Sequence, residues 1–284
     1  MARLTALRVL AGSLLFASAA AVGTAQAADP VNEVRLYALD CGKIHIKDMG
    51  MFSDTGEYDG KPGDIADPCF VIRHPKGVLV WDTGLGDKLA ETKGGIDFPL
   101  GHMQVDATLI DQLKQIGLAP SDVTYLAFSH THFDHTGNAN EFPDATWILN
   151  KTELAWDESN PGDFVKIDTF SDYKTAKKQM IDGDYDVFGD GSVRILKTPG
   201  HTPGHQSLQL KLKKSGVVIL SGDLFHQRAN YTFRRVPPFN YERADTLASI
   251  DRIATILKNT KGRLVVQHDA GDFKALPKVP KYLD

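Results

Sequence analysis

The sequence predicts an α+β protein in which two mixed β-sheets are flanked by helices. Three observations carry that expectation. Short apolar runs recur through both halves of the chain, in greater number than a doubly wound parallel sheet needs. Two stretches instead place their apolar residues on one helical face. Neither a repeat of fixed period nor a low-complexity tract points to another architecture. With 284 residues, 42% of them hydrophobic and 24% charged, the chain is long enough to bury a core.

In chain order, Arg3 and Arg8 precede an apolar stretch over residues 9–22, which Ala25-Gln26-Ala27 follows. That order of charge, apolar run and small residues predicts a secretory signal over residues 1–27, cut after Ala27, and a mature domain over 28–284 that is periplasmic or secreted. The apolar run is about 14 residues, where a membrane span needs roughly 20, so no membrane association is expected after cleavage. Cys41 and Cys69 both fall in the mature part. In an oxidising compartment they either pair or stay as two buried thiols, and the sequence leaves both open.

Alternation of apolar and polar residues over 31–39 predicts an opening strand, and the Gly- and Asp-rich stretch 48–68 a long loop. The runs 69–73 and 78–81, separated by Pro75-Lys76-Gly77, read as a hairpin that ends in Asp82-Thr83-Gly84. Val105, Leu109, Ile110, Leu113 and Ile116 share a helical face, with Gly117 placed to stop it. Further strands are expected at 123–128, 145–149, 193–197, 208–212, 217–220 and 264–267, and a second helix at 244–257. Residues 150–190 read as an insertion or lid.

A net charge of −4 leaves no concentrated basic face for nucleic acid. The chemistry concentrates elsewhere. Ser129-His130-Thr131-His132-Phe133-Asp134-His135-Thr136-Gly137 sets three imidazoles and a carboxylate directly after a buried strand. Those are the donor types that zinc and its first-row neighbours prefer. His201, Asp223 and His268 each follow another apolar run. Seven donors exceed what one tetrahedral zinc takes, so two divalent ions sharing a carboxylate is the economical reading, with Zn²⁺ foremost and Co, Mn or Fe admissible.

The pattern His-x-His-x-Asp-His, with the later His, Asp and His, resembles the metallo-β-lactamase superfamily and covers essentially the whole mature chain. The resemblance implies the superfamily's αββα sandwich. It also implies His130, His132 and His201 on one metal, Asp134, His135 and His268 on the other, and Asp223 between them. Asp82 matches the aspartate that accepts the distal N–H of a ligand imidazole. Within the superfamily the chain is most similar to the N-acyl homoserine lactonases, through residues 80–84, 130–137, 198–207 and 221–223. That implies ring opening of a small-molecule lactone by a hydroxide between the metals, hence quorum quenching, with Asp134 passing a proton to the leaving alkoxide. A β-lactamase-like, aryl ester or phosphotriester hydrolase of the same fold is the alternative, and a homodimer is left open.

One departure stands out. Many lactonases carry a tyrosine three residues after the bridging aspartate, and His226 stands there in this chain. Its imidazole can donate the same bond, and Tyr231 is a second candidate. Phe225, Phe233, Phe239 and Met51 are candidate walls for an acyl chain, though packing in the core or a lid explains each as well. His205 is expected to support the site without ligating. His45, His74 and His102 are expected in solvated loops.

Overall fold

The computed structural model describes residue 1 and residues 30–284, so the signal segment expected at 1–27 lies outside the described residues apart from Met1. Alternation in the first strand explains why layers form on both of its sides. In β1 (Arg35–Ile46), Leu36 and Ala38 enter one apolar cluster while Tyr37 and Leu39 enter another. β2 (Gly63–His74) pairs antiparallel with β1, Leu36 facing Ile72, and turns into β3 (Gly77–Trp81). β4 (Ile96–Phe98) and β5 (Gly101–Gln104) form a hairpin on the free edge of β1. β6 (Tyr125–Ala127), β7 (Thr146–Asn150) and β8 (Lys177–Ile181) continue from β3 in parallel. The resulting sheet runs β4-β5-β1-β2-β3-β6-β7-β8.

The second sheet comprises β9 (Tyr185–Asp186), β10 (Val193–Lys197), β11 (Gln206–Leu212), β12 (Gly216–Leu220) and β13 (Arg263–Val265), in the order β13-β12-β11-β10-β9. Its pairs are antiparallel except β12 with β13. Between the sheets, Leu36, Phe70, Ile72, Leu79 and Trp81 pack against Ile195, Leu208, Leu210, Val218 and Leu220.

Helices cover both outer faces. α1 (Leu109–Gln115) lays Leu109 and Leu113 against Val71, Val80 and Leu126. α5 (Arg243–Thr260) lays Ile250, Ile253 and Leu257 against Leu196, Ile219 and Val266. The other helices are α2 (Phe133–Thr136), α3 (Lys151–Ser159), α4 (Arg228–Phe233) and α6 (Ala270–Lys274). The architecture is the expected αββα sandwich. Among the described residues no helix is long and apolar enough to cross a membrane.

Two expectations are corrected. The loop predicted over 48–68 ends at residue 62, because Ile65 and Ala66 already pair with Ile44 and Lys43 in the sheet. Residues 150–190 are not an insertion: they supply α3, β8 and β9, which complete both sheets. Cys41 and Cys69 are bonded across β1 and β2, with Cα atoms 5.6 Å apart. Gly84 passes so close that a Cβ there would lie 2.3 Å from Cys41 Cβ, and its φ of 68° favours glycine independently.

Candidate metal centre

Strand direction gathers the donors. β3 and β6 run parallel and adjacent, so Asp82 and the segment from Phe128 to His132 leave the first sheet side by side. β12 and β13 are likewise parallel, and β10 shares their direction because two antiparallel steps separate it from β12. Their ends deliver Asp223, His268 and His201 to the same edge of the sandwich, where loops can aim side chains inward.

All seven expected donors converge there, in two groups. One ligand atom each from His130, His132, His201 and Asp223 lies within 4.8 Å of the others, and the same holds for Asp134, His135 and His268. His201 Nε2 stands 3.1 Å from both His130 Nε2 and His132 Nδ1, and His268 Nε2 stands 3.3 Å from His135 Nε2. Asp223 lies between the groups. Its Oδ1 is 3.2 Å from His135 Nε2 and 3.0 Å from His268 Nε2, while its Oδ2 is 3.4 Å from His201 Nε2 and 3.7 Å from His130 Nε2. Asp134 is the most open donor, with its oxygens 3.9 and 3.7 Å from His135 and His268.

These donors fit cations better than they fit one another. Nitrogen facing nitrogen at such distances leaves lone pairs without hydrogens to share, and Asp223 Oδ1 is buried without a hydrogen bond. The outward nitrogens are tied down, which aims the inward ones at the centre, where a bound cation would take their lone pairs. His135 Nδ1–H donates to Asp82 Oδ2 at 3.1 Å, His268 Nδ1–H to the Ala66 carbonyl at 2.6 Å and His201 Nδ1–H to Asn240 Oδ1 at 2.9 Å.

Electrostatics separate the two halves. Burial, reinforced by neighbouring imidazoles, holds His130 and His201 well below the ordinary histidine range and His132 at about 3. Burial acts the same way on His268, but the Asp223 carboxylate outweighs it and lifts the imidazole to about 9. Burial opposes the charged form of His135 too, and the same charge, helped by Asp82 and Asp134, overcomes it and raises the imidazole. Burial opposes ionisation of Asp223, yet the surrounding imidazoles keep its carboxyl well below the usual range.

Asp82 sits where expected, and at a backbone cost. Its φ is 56°, in the left-handed region that non-glycine residues avoid. Its carboxylate accepts Ser129 N–H at 2.6 Å and Gln267 Nε2–H at 2.6 Å besides the His135 bond, which ties three ligand-bearing segments together. His205 holds the backbone: its Nε2 accepts Asp223 N–H at 2.9 Å and its Nδ1–H donates to the Thr198 carbonyl at 2.8 Å.

His226 reaches the centre, with Nε2 3.0 Å from Asp223 Oδ2 and its ring stacked between Phe52 and His268. Tyr231 does not. α4 turns it toward the α5 side, where its ring meets Phe225 edge-on at 5.4 Å in the outer cluster. Met51 and Phe239 line the pocket over the centre, whereas Phe225 is fully buried behind it and Phe233 is 58% exposed. His74 is no solvated loop residue: it ends β2, stacks on Phe188 at 4.0 Å and donates from Nε2 to Asp190. His45 and His102 lie opposite each other on β1 and β5 rather than in loops, paired with Asp64 and Asp97.

Sequence reasoning missed Asn240 and Gln267, because an isolated amide carries no signal until its partner is known. It also missed Asp67, a wholly buried carboxyl whose oxygens make no hydrogen bond. Burial, and after it the charge of Asp134, raises Asp67 well above the usual carboxylate range.

Comparison with known proteins agrees with this geometry. Residues 63–268 match the family model described as the metallo-beta-lactamase superfamily. The chain is 31% identical to the N-acyl homoserine lactonase AttM of Azorhizobium caulinodans, over 89% of this chain and 100% of that protein. A solved N-acyl homoserine lactone hydrolase, with the product N-hexanoyl-L-homoserine at its catalytic metal center, superimposes with a TM-score of 0.76 at 26% identity, covering 89% of this chain and 100% of that one. AidC, a dizinc quorum-quenching lactonase, shares the fold at 18% identity with a TM-score of 0.65, over 86% and 91% of the two chains. With a family model spanning most of its length and its donors gathered at one edge of an αββα sandwich, this chain belongs to the metallo-β-lactamase superfamily of metal-dependent hydrolases.

Proposed function

We propose that this protein is an exported N-acyl homoserine lactonase with two divalent ions, Zn²⁺ foremost, shared across Asp223. The observation that carries the reading is Asp223 itself, which turns one oxygen to each group of imidazoles. His130, His132 and His201 would hold one ion, and Asp134, His135 and His268 the other. Bound there, the ions would supply Lewis acidity and a water acidic enough to attack at neutral pH.

The pocket supports an acyl lactone. Its floor is polar, with Asp134, Asp223, His226 and His268, and its walls include Ile44, Met51, Phe52 and Phe239. The space directly over the centre is only ≈ 50 Å³, but a hollow of ≈ 670 Å³ adjoins it and shares Phe98, Leu100, Phe133 and Phe164. A lactone ring would sit over the floor with its acyl chain in the hollow. Ring opening joins a water oxygen to the carbonyl carbon and breaks the bond to the ring oxygen. The proton taken from water passes through a carboxylate oxygen of Asp134 to the leaving alkoxide, so a hydroxy acid results. His226 is placed to donate from its imidazole to the carbonyl oxygen as charge develops.

Export is supported by the charged and apolar order of residues 1–27 and by the Cys41–Cys69 bond, which persists in oxidising compartments. The decisive assay incubates metal-replete protein with N-hexanoyl- and N-decanoyl-homoserine lactone and follows the gain of one water by mass. Turnover that a chelator abolishes is expected. Turnover of β-lactams, aryl esters or phosphotriesters with none of lactones would replace this reading by the alternative hydrolase.

A further inference from the structure

Two buried carboxyls on α3, Glu153 and Asp157, stand one helical turn apart and converge on Thr131, the residue between His130 and His132. Thr131 Oγ1 lies 3.2 Å from Glu153 Oε1 and 2.8 Å from Asp157 Oδ1. Glu153 also accepts two backbone N–H groups, from Thr131 at 3.2 Å and from Gly204 at 2.8 Å. Gly204 belongs to the loop that carries His201 and His205. One carboxylate thus ties together the two loops that supply all three imidazoles of the first group.

That contact is built into the sequence at Gly204. A Cβ there would lie 2.5 Å from Glu153 N and 2.6 Å from Glu153 Cβ, so no side chain fits between the loop and α3. Counting hydrogens then assigns the charge. The Thr131 hydroxyl has a single hydrogen and faces two carboxyl oxygens. Glu153 has two N–H donors besides, whereas Asp157 has none and its Oδ2 is buried without a partner. A second anion there would be buried with nothing to stabilise it.

We propose that Glu153 is an anionic positioning residue for the His130–His132–His201 half, and that Asp157 carries the proton of the pair. Asp157 Oδ1–H then donates to Thr131 Oγ1, whose own hydrogen goes to Glu153 Oε1. Electrostatics put the proton on the same residue: burial, and after it the charges of Glu153 and Glu158, pushes Asp157 to about 8, while burial raises Glu153 against the opposing pull of the Thr202 hydroxyl and the Gly204 and Thr131 N–H groups. The positioning role rests on the reading that the three imidazoles hold a metal; the proton assignment does not.

The test compares Glu153→Gln with Asp157→Asn. Because Asn resembles a neutral Asp, Asp157→Asn should change zinc affinity by less than about twofold, whereas Glu153→Gln should weaken the first ion by about tenfold to a hundredfold and spare the second. A merely structural role would lower both ions together, and that result overturns the proposal, as does unchanged affinity in Glu153→Gln. Infrared difference spectra at pH 6 supply a readout independent of metal. Besides the band of the buried Asp67 carboxyl, a second carboxylic acid C=O band should be present in the native protein and lost in Asp157→Asn; a second band lost in Glu153→Gln but kept in Asp157→Asn contradicts the assignment. Should Glu153→Gln fail to fold, Thr131→Val is titrated instead, and a first-ion affinity equal to the native value refutes the linkage. If the native protein binds no metal, the reading of the centre fails, and the infrared band still decides where the proton lies.

Discussion

His226 Nε2 stands 3.0 Å from Asp223 Oδ2, the oxygen that faces the first group of imidazoles. This contact gives the imidazole a partner on one side, while His226 Nδ1 is buried with none. A side chain so placed can turn from the carboxylate to a substrate oxygen.

For that reason His226→Ala should leave two ions bound and lower kcat, by roughly a hundredfold, the cost of removing one donor to a developing oxyanion. Metal analysis alongside steady-state kinetics checks it. Loss of an ion in that variant would make His226 part of the metal cage instead.

Asp82→Ala should weaken metal binding by about tenfold to a hundredfold, because His135 loses the acceptor that orients it. It should also cost about 1 to 3 kcal/mol of stability, since Ser129 N–H and Gln267 Nε2–H are left without that partner. A zinc titration and a denaturant melt separate the two effects. Asp82→Asn keeps the shape and removes the charge, and intermediate losses are expected.

Asp157 sets a pH dependence whose sign can be worked out. Its carboxyl is held at about 8 when folded against an unfolded value of 3.8, so the native state binds the extra proton between those values. Stability from this group is therefore present below pH 3.8 and is lost as pH rises toward 8, at no more than about 1.4 kcal/mol per pH unit. The facing groups are Glu153 and Glu158 on α3, the latter bonded to Tyr173, and Thr131. Asp157→Asn removes the slope. Melts of the two proteins across pH 5 to 8 should diverge in favour of the Asn variant, and parallel curves would contradict the assignment.

Reduction of Cys41–Cys69 should destabilise the protein by roughly 3 to 4 kcal/mol in the chain-entropy model, for a loop whose ends are 28 residues apart. Melts with and without a thiol reductant measure it, and Cys41→Ser with Cys69→Ser should reproduce the reduced value.

What the sequence made legible follows from where each signal sits. The seven donors were visible because each follows an apolar strand or lies within one dense motif, and a strand end fixes which edge its loop occupies. Asp82 was reached only through the resemblance, since one aspartate after one strand is not diagnostic. β8 was missed because Lys177, Lys178 and Gln179 are all exposed on an edge strand, so no apolar alternation marks it. The hairpin of β4 and β5 failed for the same reason, its strands being three and four residues of mostly part-exposed surface. His74 was misplaced because its burial comes from Phe188 and Asp190, more than a hundred residues later in the chain. Tyr231 was misjudged because proximity in sequence to Asp223 did not reveal that α4 turns it outward.

The central claim is that two cations flank Asp223, and anomalous diffraction at the zinc edge from zinc-loaded crystals tests it most directly. The account predicts two peaks, one enclosed by His130, His132 and His201, the other by Asp134, His135 and His268, each touching a different oxygen of Asp223. A single peak, or peaks that leave Asp223 untouched, would contradict it.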